Sequence, residues 1–145
     1  MLGTAVVDAQ GAYSLTLATP PANGTMLMAT LTDAAGNVSG VAQALAPDIT
    51  APVGLTAAIN GAGTLVTGTG EAGAIVTIRD AGGTVLGTAV VAANGTYAAV
   101  LTTPQINGQA LTATQADAAG NAGTPAPVTA PGSSSPRPDF TTTTT

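Results

Sequence analysis

Residues 68–101 read GTGEAGAIVTIRDAGGTVLGTAVVAANGTYAAVL. Within it Ala74, Val76 and Ile78 fall on one side of an alternating run, with Thr77 and Arg79 opposite. Tyr97, Ala99 and Leu101 share a side in the same way. A period of two is the mark of a strand with one face buried. Val, Ile and Thr suit a pleated, half-buried surface. Gly82-Gly83 and Asn94-Gly95 punctuate the runs. Asn-Gly tolerates positive φ at both central positions of a two-residue hairpin, so each pair predicts a reversal of the chain. No stripe at i, i+3, i+4 persists, and Gly and β-branched residues recur too often for a helix.

The same pattern extends outward. Strands are predicted at 53–59, 63–69, 74–79, 84–91, 96–101, 110–116 and 122–129, with further turns at Asn60-Gly61, Asn107-Gly108 and Gly120-Asn121. Strand starts about ten residues apart, separated by such turns, predict an all-β antiparallel sandwich.

Sliding the chain by 84 residues aligns 2–47 with 86–131 without a gap, and 25 of the 46 pairs are identical. LGTAVVDAQGAY (2–13) faces LGTAVVAANGTY (86–97), and DAAGN (33–37) faces DAAGN (117–121). A period this long suits a small independent domain rather than a helical or leucine-rich repeat. The expected organisation is one complete unit at 49–131, preceded at 1–48 by the C-terminal half of another. Met1 then falls in mid-unit, as in a slice of a longer array. About four strands are expected in 1–47. They would leave Leu15, Leu17, Leu27 and Leu31 without a facing sheet, so the half-unit should be poorly ordered or pair through open edges. After Pro131 the repeat breaks into GSSSPRPDFTTTTT, and this composition predicts a disordered tail over 132–145.

The stretch 68–101, the ALTATQADAAGN of 110–121 and the APDITAP joint of 46–52 together resemble the bacterial Ig-like repeats of giant biofilm-associated surface adhesins exported by type I secretion. The resemblance covers roughly residues 1–131. It implies an Ig-like β-sandwich bead, outside the cell or on its surface, serving as a spacer in a stalk that supports adhesion and biofilm formation. The partners it implies are neighbouring repeats of the same polypeptide, with the distal ligand unknown. The alternatives are an Ig-like module that itself grips a carbohydrate or surface receptor, and an accessory domain of an extracellular enzyme or phage fibre.

Composition narrows the chemistry independently. Ala (31), Thr (26) and Gly (19) make up just over half of the 145 residues, and there is no Cys, His, Trp or Lys. Without imidazole or thiol there is no general base or nucleophile of those kinds, and no zinc site of the usual ligands. Ser14 and Ser39 have no His or Lys to activate them. Glu71 and Asp80 could be read as a glycosidase pair, but the chain lacks sugar-stacking aromatics. An enzyme is therefore not expected. Arg79 and Arg137 are the only cations against seven acids, so no nucleic-acid partner is expected. No long apolar run is free of Gly and Thr, so no membrane insertion is expected either. The Asn-x-Ser/Thr sequences at Asn23, Asn37 and Asn94 read most simply as turns, and Met26 and Met28 as packing variation.

One metal site is expected from the resemblance. Some adhesin repeats bind calcium at their joints, and this carries onto Asp33, Asn37 and Asp48, with Glu71 and Asp80 as further oxygen donors. Hard cations prefer such ligands. Asp-Ala-Ala-Gly-Asn is equally what a tight turn needs, and no EF-hand pattern is present. The second copy has Gly132 in place of Asp48.

Overall fold

The computed structural model describes residues 1–132, so the predicted tail lies, from residue 133 on, outside the described residues. The chain divides into two compact units, Met1–Ile49 and Thr50–Thr145. Nine strands form among the described residues: β1 Met26–Ala29, β2 Ala42–Leu45, β3 Ala58–Ile59, β4 Leu65–Thr69, β5 Ile75–Asp80, β6 Val85–Val90, β7 Thr96–Val100, β8 Ala110–Ala116 and β9 Ala126–Thr129.

In the second unit all pairings are antiparallel. One sheet has the order β3-β4-β7 and the other β6-β5-β8-β9. Their inner faces supply a single core. Val66, Tyr97 and Ala99 come from the first sheet, and Val76, Ile78, Leu86, Leu111, Ala113 and Val128 from the second. The alternation predicted for 74–78 and 97–101 is the one observed, because only that register puts the apolar set between the sheets. A bulge opposite Ile78–Arg79 breaks the alternation of β6 and leaves Leu86 in the core. The fold is an Ig-like antiparallel β-sandwich.

Two predicted strands are shortened for local reasons. The first forms a ladder only at 58–59, since Gly54 has φ of 77° and turns the backbone out of the extended region. The last begins at Ala126, beyond Pro125, and carries Pro127 on a strand at the sheet edge, where a missing N–H costs no ladder bond. At Gly68 a Cβ would lie 2.0 Å from the Thr56 carbonyl oxygen and 3.0 Å from a Tyr97 ring carbon. Glycine there lets three segments of the first sheet pack beneath one aromatic ring.

The first unit holds two strands rather than the expected four. β1 and β2 pair Met26 with Leu45 and Ala29 with Ala42, the register in which Ala110 pairs with Thr129 and Ala113 with Ala126 in the second unit. The Thr32–Val38 bridge likewise repeats the Ala116–Ala122 bridge. Residues 12–16, equivalent to β7, form no strand. In the second unit β7 pairs only with β4, and nothing in 1–48 corresponds to β4. The same holds for residues 1–6 and β6, whose partner is β5. Strands persist where both partners belong to the repeated half. The expected exposure of the inner face follows: Tyr13 is 57 % exposed and Leu31 52 %, while Leu17 and Leu27 are half-buried.

Candidate functional site

Of the residues expected to hold an ion, Asp33, Asn37 and Asp80 sit in hairpin loops of one design. Asp33 exemplifies it. Its N–H donates to the Asn37 carbonyl at 3.0 Å, the Gly36 N–H donates to the Asp33 carbonyl at 3.1 Å, and Gly36 has φ of 89°. This is a three-residue loop, a tight turn closed by a glycine in the left-handed region. The same pair of backbone bonds recurs from Asp8, Asp80, Ala92 and Asp117, with Gly11, Gly83, Gly95 and Gly120 as the closing glycines, while the loop from Asn60 is one residue longer, its N–H donating to the Leu65 carbonyl and Gly63 closing the turn. Among the described residues no non-glycine residue has positive φ, so the Asn-Gly pairs do not form the predicted two-residue hairpins. A type I′ turn would put both central residues there.

Position i of the loop explains the acids. The Asp33 Oδ1 accepts the N–H groups of Ala35 (2.9 Å) and Asn37 (2.8 Å), and Oδ2 accepts the Asn37 side-chain amide at 2.8 Å. Asp117 repeats the set with Ala119, Asn121 and the Asn121 amide at 2.9, 2.9 and 2.8 Å. The side-chain bond from Asn37, ahead of the backbone donors, holds the Asp33 carboxyl below the usual aspartate range. The Asn121 amide does the same for Asp117. Asp8 and Asp80 cap their loops similarly. Asp8, Asp33, Asp80 and Asp117 share a feature visible in the sequence, an Asp three residues before a Gly, with Asn60 and Gly63 its counterpart in the longer loop; the loop from Ala92 forms without it.

The three residues expected to share calcium do not meet. Asp33 and Asn37 lie together at the tip of the β1–β2 hairpin, beyond the Thr32–Val38 bridge. Asp48 follows the open end, where the Gly24 N–H donates to Ala46 and the Ile49 N–H donates to the Asn23 side chain. Hairpin length puts those ends on the order of 20 Å apart. The Asn37 amide also turns its N–H, not its oxygen, toward Asp33. Three of the carboxylate's roughly four acceptor positions are then already filled. This donor set fits a satisfied turn and does not fit a calcium ion held by all three residues. Among the described residues no group of three or more His, Cys, Asp or Glu could hold a metal. Glu71 and Asp80 are engaged with backbone in the second unit: Glu71 Oε2 accepts the Val53 N–H at 3.3 Å, and Asp80 Oδ1 the Thr84 N–H at 2.8 Å.

Among the described residues, the one fully buried polar side chain that crosses between segments is Gln115, 1 % exposed. Its Oε1 accepts the Glu71 N–H at 3.1 Å and its Nε2 donates to the Val53 carbonyl at 2.9 Å. It ties the entry segment and the loop before β5 to β8. A shallow recess of about 200 Å³ beside it is lined by Pro52, Val53, Leu55, Thr124 and Pro125, with no charged group. Nor does any helix among the described residues have the length and apolarity to cross a membrane.

Among solved structures, a chain described as "Biofilm associated protein - BSP domain" aligns at 20 % identity and a TM-score of 0.49. The alignment covers 90 % of this chain and 22 % of that one, so this chain spans about a fifth of its length. No curated protein matches. The family described as Bacterial Ig domain matches residues 1–48 and, separately, 51–132. Both copies of the internal repeat are thus matched, across nearly all of the described residues, and the chain belongs to the bacterial Ig domain family.

Proposed function

We propose that the chain is part of the stalk of a secreted bacterial cell-surface adhesin, a spacer whose work is reach and stiffness in attachment and biofilm formation. The observation that carries this reading is tandem occurrence: two copies of one family domain follow each other with only residues 49–50 between the matched ranges. Units in such an array interact chiefly with their neighbours in the chain, which suits a rod. The inward position of Tyr97 supports the reading as well, since a recognition surface usually displays aromatics. The exposed faces carry mainly Thr, Ala and Val, with Arg79 the one cation of the complete unit, its guanidinium bonded to the Gly83 carbonyl at 3.0 Å. Such a surface offers nothing to a nucleic acid. Catalysis is not part of the reading, because the chain has no His, Cys or Lys, and Asp8, Asp33, Glu71, Asp80 and Asp117 each accept backbone N–H groups.

The test is replacement. Residues 51–131 are exchanged, within the parent polypeptide on the bacterial surface, for an unrelated sandwich domain of equal length. Retained adhesion supports a spacer. Lost adhesion, with surface display intact, supports a module that itself binds a carbohydrate or receptor.

A further inference from the structure

We propose that Asn60 is a site of spontaneous covalent modification, where the Asn60-Gly61 pair closes to a succinimide and reopens as an aspartate or isoaspartate. The sequence holds four Asn-Gly pairs, at 23–24, 60–61, 94–95 and 107–108. The chemistry asks two things of a pair: a glycine nitrogen able to attack, and an asparagine Cγ that is electrophilic. In three pairs the nitrogen is already engaged. The Gly24 N–H donates to the Ala46 carbonyl at 3.1 Å, Gly95 to Ala92 at 2.8 Å and Gly108 to Pro131 at 3.1 Å. For Gly95 the cause is its place in the loop, since a closing glycine bonds back to the first loop residue. In the β3–β4 loop Gly63 has that task, donating to the Asn60 carbonyl at 3.0 Å. Gly61 stands one residue after the start of this turn, where the turn asks no bond of its N–H. That N–H has no acceptor among the described residues, and Asn60, Gly61 and Ala62 are all exposed.

The second requirement is met at the same place. The Asn60 Oδ1 accepts the N–H groups of Thr64 at 2.9 Å and of Leu65 at 3.2 Å. Two backbone donors on one carbonyl oxygen stabilise the negative charge that gathers there when a nucleophile adds to Cγ. The step balances with water alone. The Gly61 nitrogen gives its proton to hydroxide and bonds to Cγ. The Cγ–Nδ2 bond breaks, and the amide takes a proton from water and leaves as ammonia, giving up its 3.2 Å bond to Thr64 Oγ1. Water then adds across one of the two ring C–N bonds to the Gly61 nitrogen. Opening at Cγ leaves an aspartate, and opening at the backbone carbonyl leaves an isoaspartate. One water enters, one ammonia leaves, and nothing is oxidised or reduced. An aspartate suits the loop, because Asp33 and Asp117 accept two backbone N–H groups at the corresponding place. Either product adds one negative charge to a chain of formal net charge −5. The complete unit thus carries a clock, read as charge at the tip of one hairpin. This inference does not depend on what the rod does.

The experiment incubates the folded full chain in mildly alkaline buffer. Mass spectrometry of its peptides follows amide-to-acid conversion at each Asn-Gly pair, and ion exchange separates the more acidic form. The same chain in urea gives the rate that local sequence alone sets. In the folded chain Asn60 should convert about tenfold or more faster than Asn94 and Asn107, the other pairs of the second unit. In urea the three should agree within about threefold, since every loop is lost. Gly61→Ala is the control. Its added Cβ meets nothing within 4 Å, and Gly61 is not among the glycines with positive φ. This variant should keep the urea midpoint and slow conversion at position 60 by about tenfold or more, because the methyl group crowds the attacking nitrogen. Conversion at 60 no faster than at 94 and 107 in the folded chain would overturn the proposal. So would a Gly61→Ala chain that converts as fast as its parent. The same ranking of the three pairs in urea would overturn it too, since local sequence would then set the order.

Discussion

The Tyr97 hydroxyl donates a 2.8 Å hydrogen bond to the backbone carbonyl of Thr56, reaching over Gly68 of β4 from β7. One side chain thereby spans three segments of the first sheet. Burial raises the Tyr97 hydroxyl pKa above the ordinary value of 10.0. Removing the hydroxyl by Tyr97→Phe should lower stability by about 1 kcal/mol. Tyr13→Phe, in the exposed equivalent, should stay within about 0.5 kcal/mol. Above pH 10 the unfolded tyrosine ionises while the folded one keeps its proton, so stability should fall as pH rises through that value. Urea midpoints at pH 7 and pH 10.5 check both points, and the alkaline loss should shrink in Tyr97→Phe.

Gln115 invites a substitution that hydrophobicity alone would favour, because the first copy has Leu31 at the equivalent place. Gln115→Leu leaves the Val53 carbonyl and the Glu71 N–H without the partners they have in the native sandwich. It should cost about 2 kcal/mol, measured by urea unfolding. A neutral or stabilising result would show that water replaces the lost partners.

The Asp117 loop predicts acid sensitivity. Its carboxyl is held below the ordinary 3.8, first by the Asn121 amide and then by backbone N–H groups. A carboxyl depressed in the folded state contributes stability fully above its unfolded value, and that contribution is lost as pH falls through the folded value. Stability of the second unit should therefore drop below about pH 4. Asp117→Asn, whose amide cannot protonate in this range, should be less stable at pH 7 but lose less on acidification. Midpoints at pH 7 and pH 3 give the comparison.

Calcium should leave the thermal midpoint of the chain unchanged, because Asp33 and Asn37 already satisfy each other and Asp48 stands at the far end of the hairpin. Scanning calorimetry in millimolar calcium and in chelator makes the test. A rise with calcium that Asp33→Asn abolishes would show that the ion displaces the loop's own donors.

The alternation around Val76 and Tyr97 was legible because burial between two sheets imposes a period of two on side chains. The half-length repeat was legible because it is nearly gapless. Strand lengths were less so: the positive φ of Gly54 and the edge position of Pro127 depend on which neighbours the sheets supply. Alternation from Leu111 and Ala113 places Gln115 inward, but its partners are backbone groups 44 and 62 residues away, which no local pattern records. The acids of the loops invited an ion because carboxylates suit both a cation and a turn. The Asn37 amide, aimed nitrogen-first at Asp33, distinguishes the two roles only in three dimensions.

Limited proteolysis of the monomeric full chain with thermolysin tests the central claim, that residues 51–131 form a closed sandwich and 1–48 one half of another. Early cuts should fall among residues 1–48, around Leu15, Leu17 and Leu31, and leave a resistant core beginning near residue 50. Resistance of 1–48 equal to that of 51–131 in a monomer would contradict it.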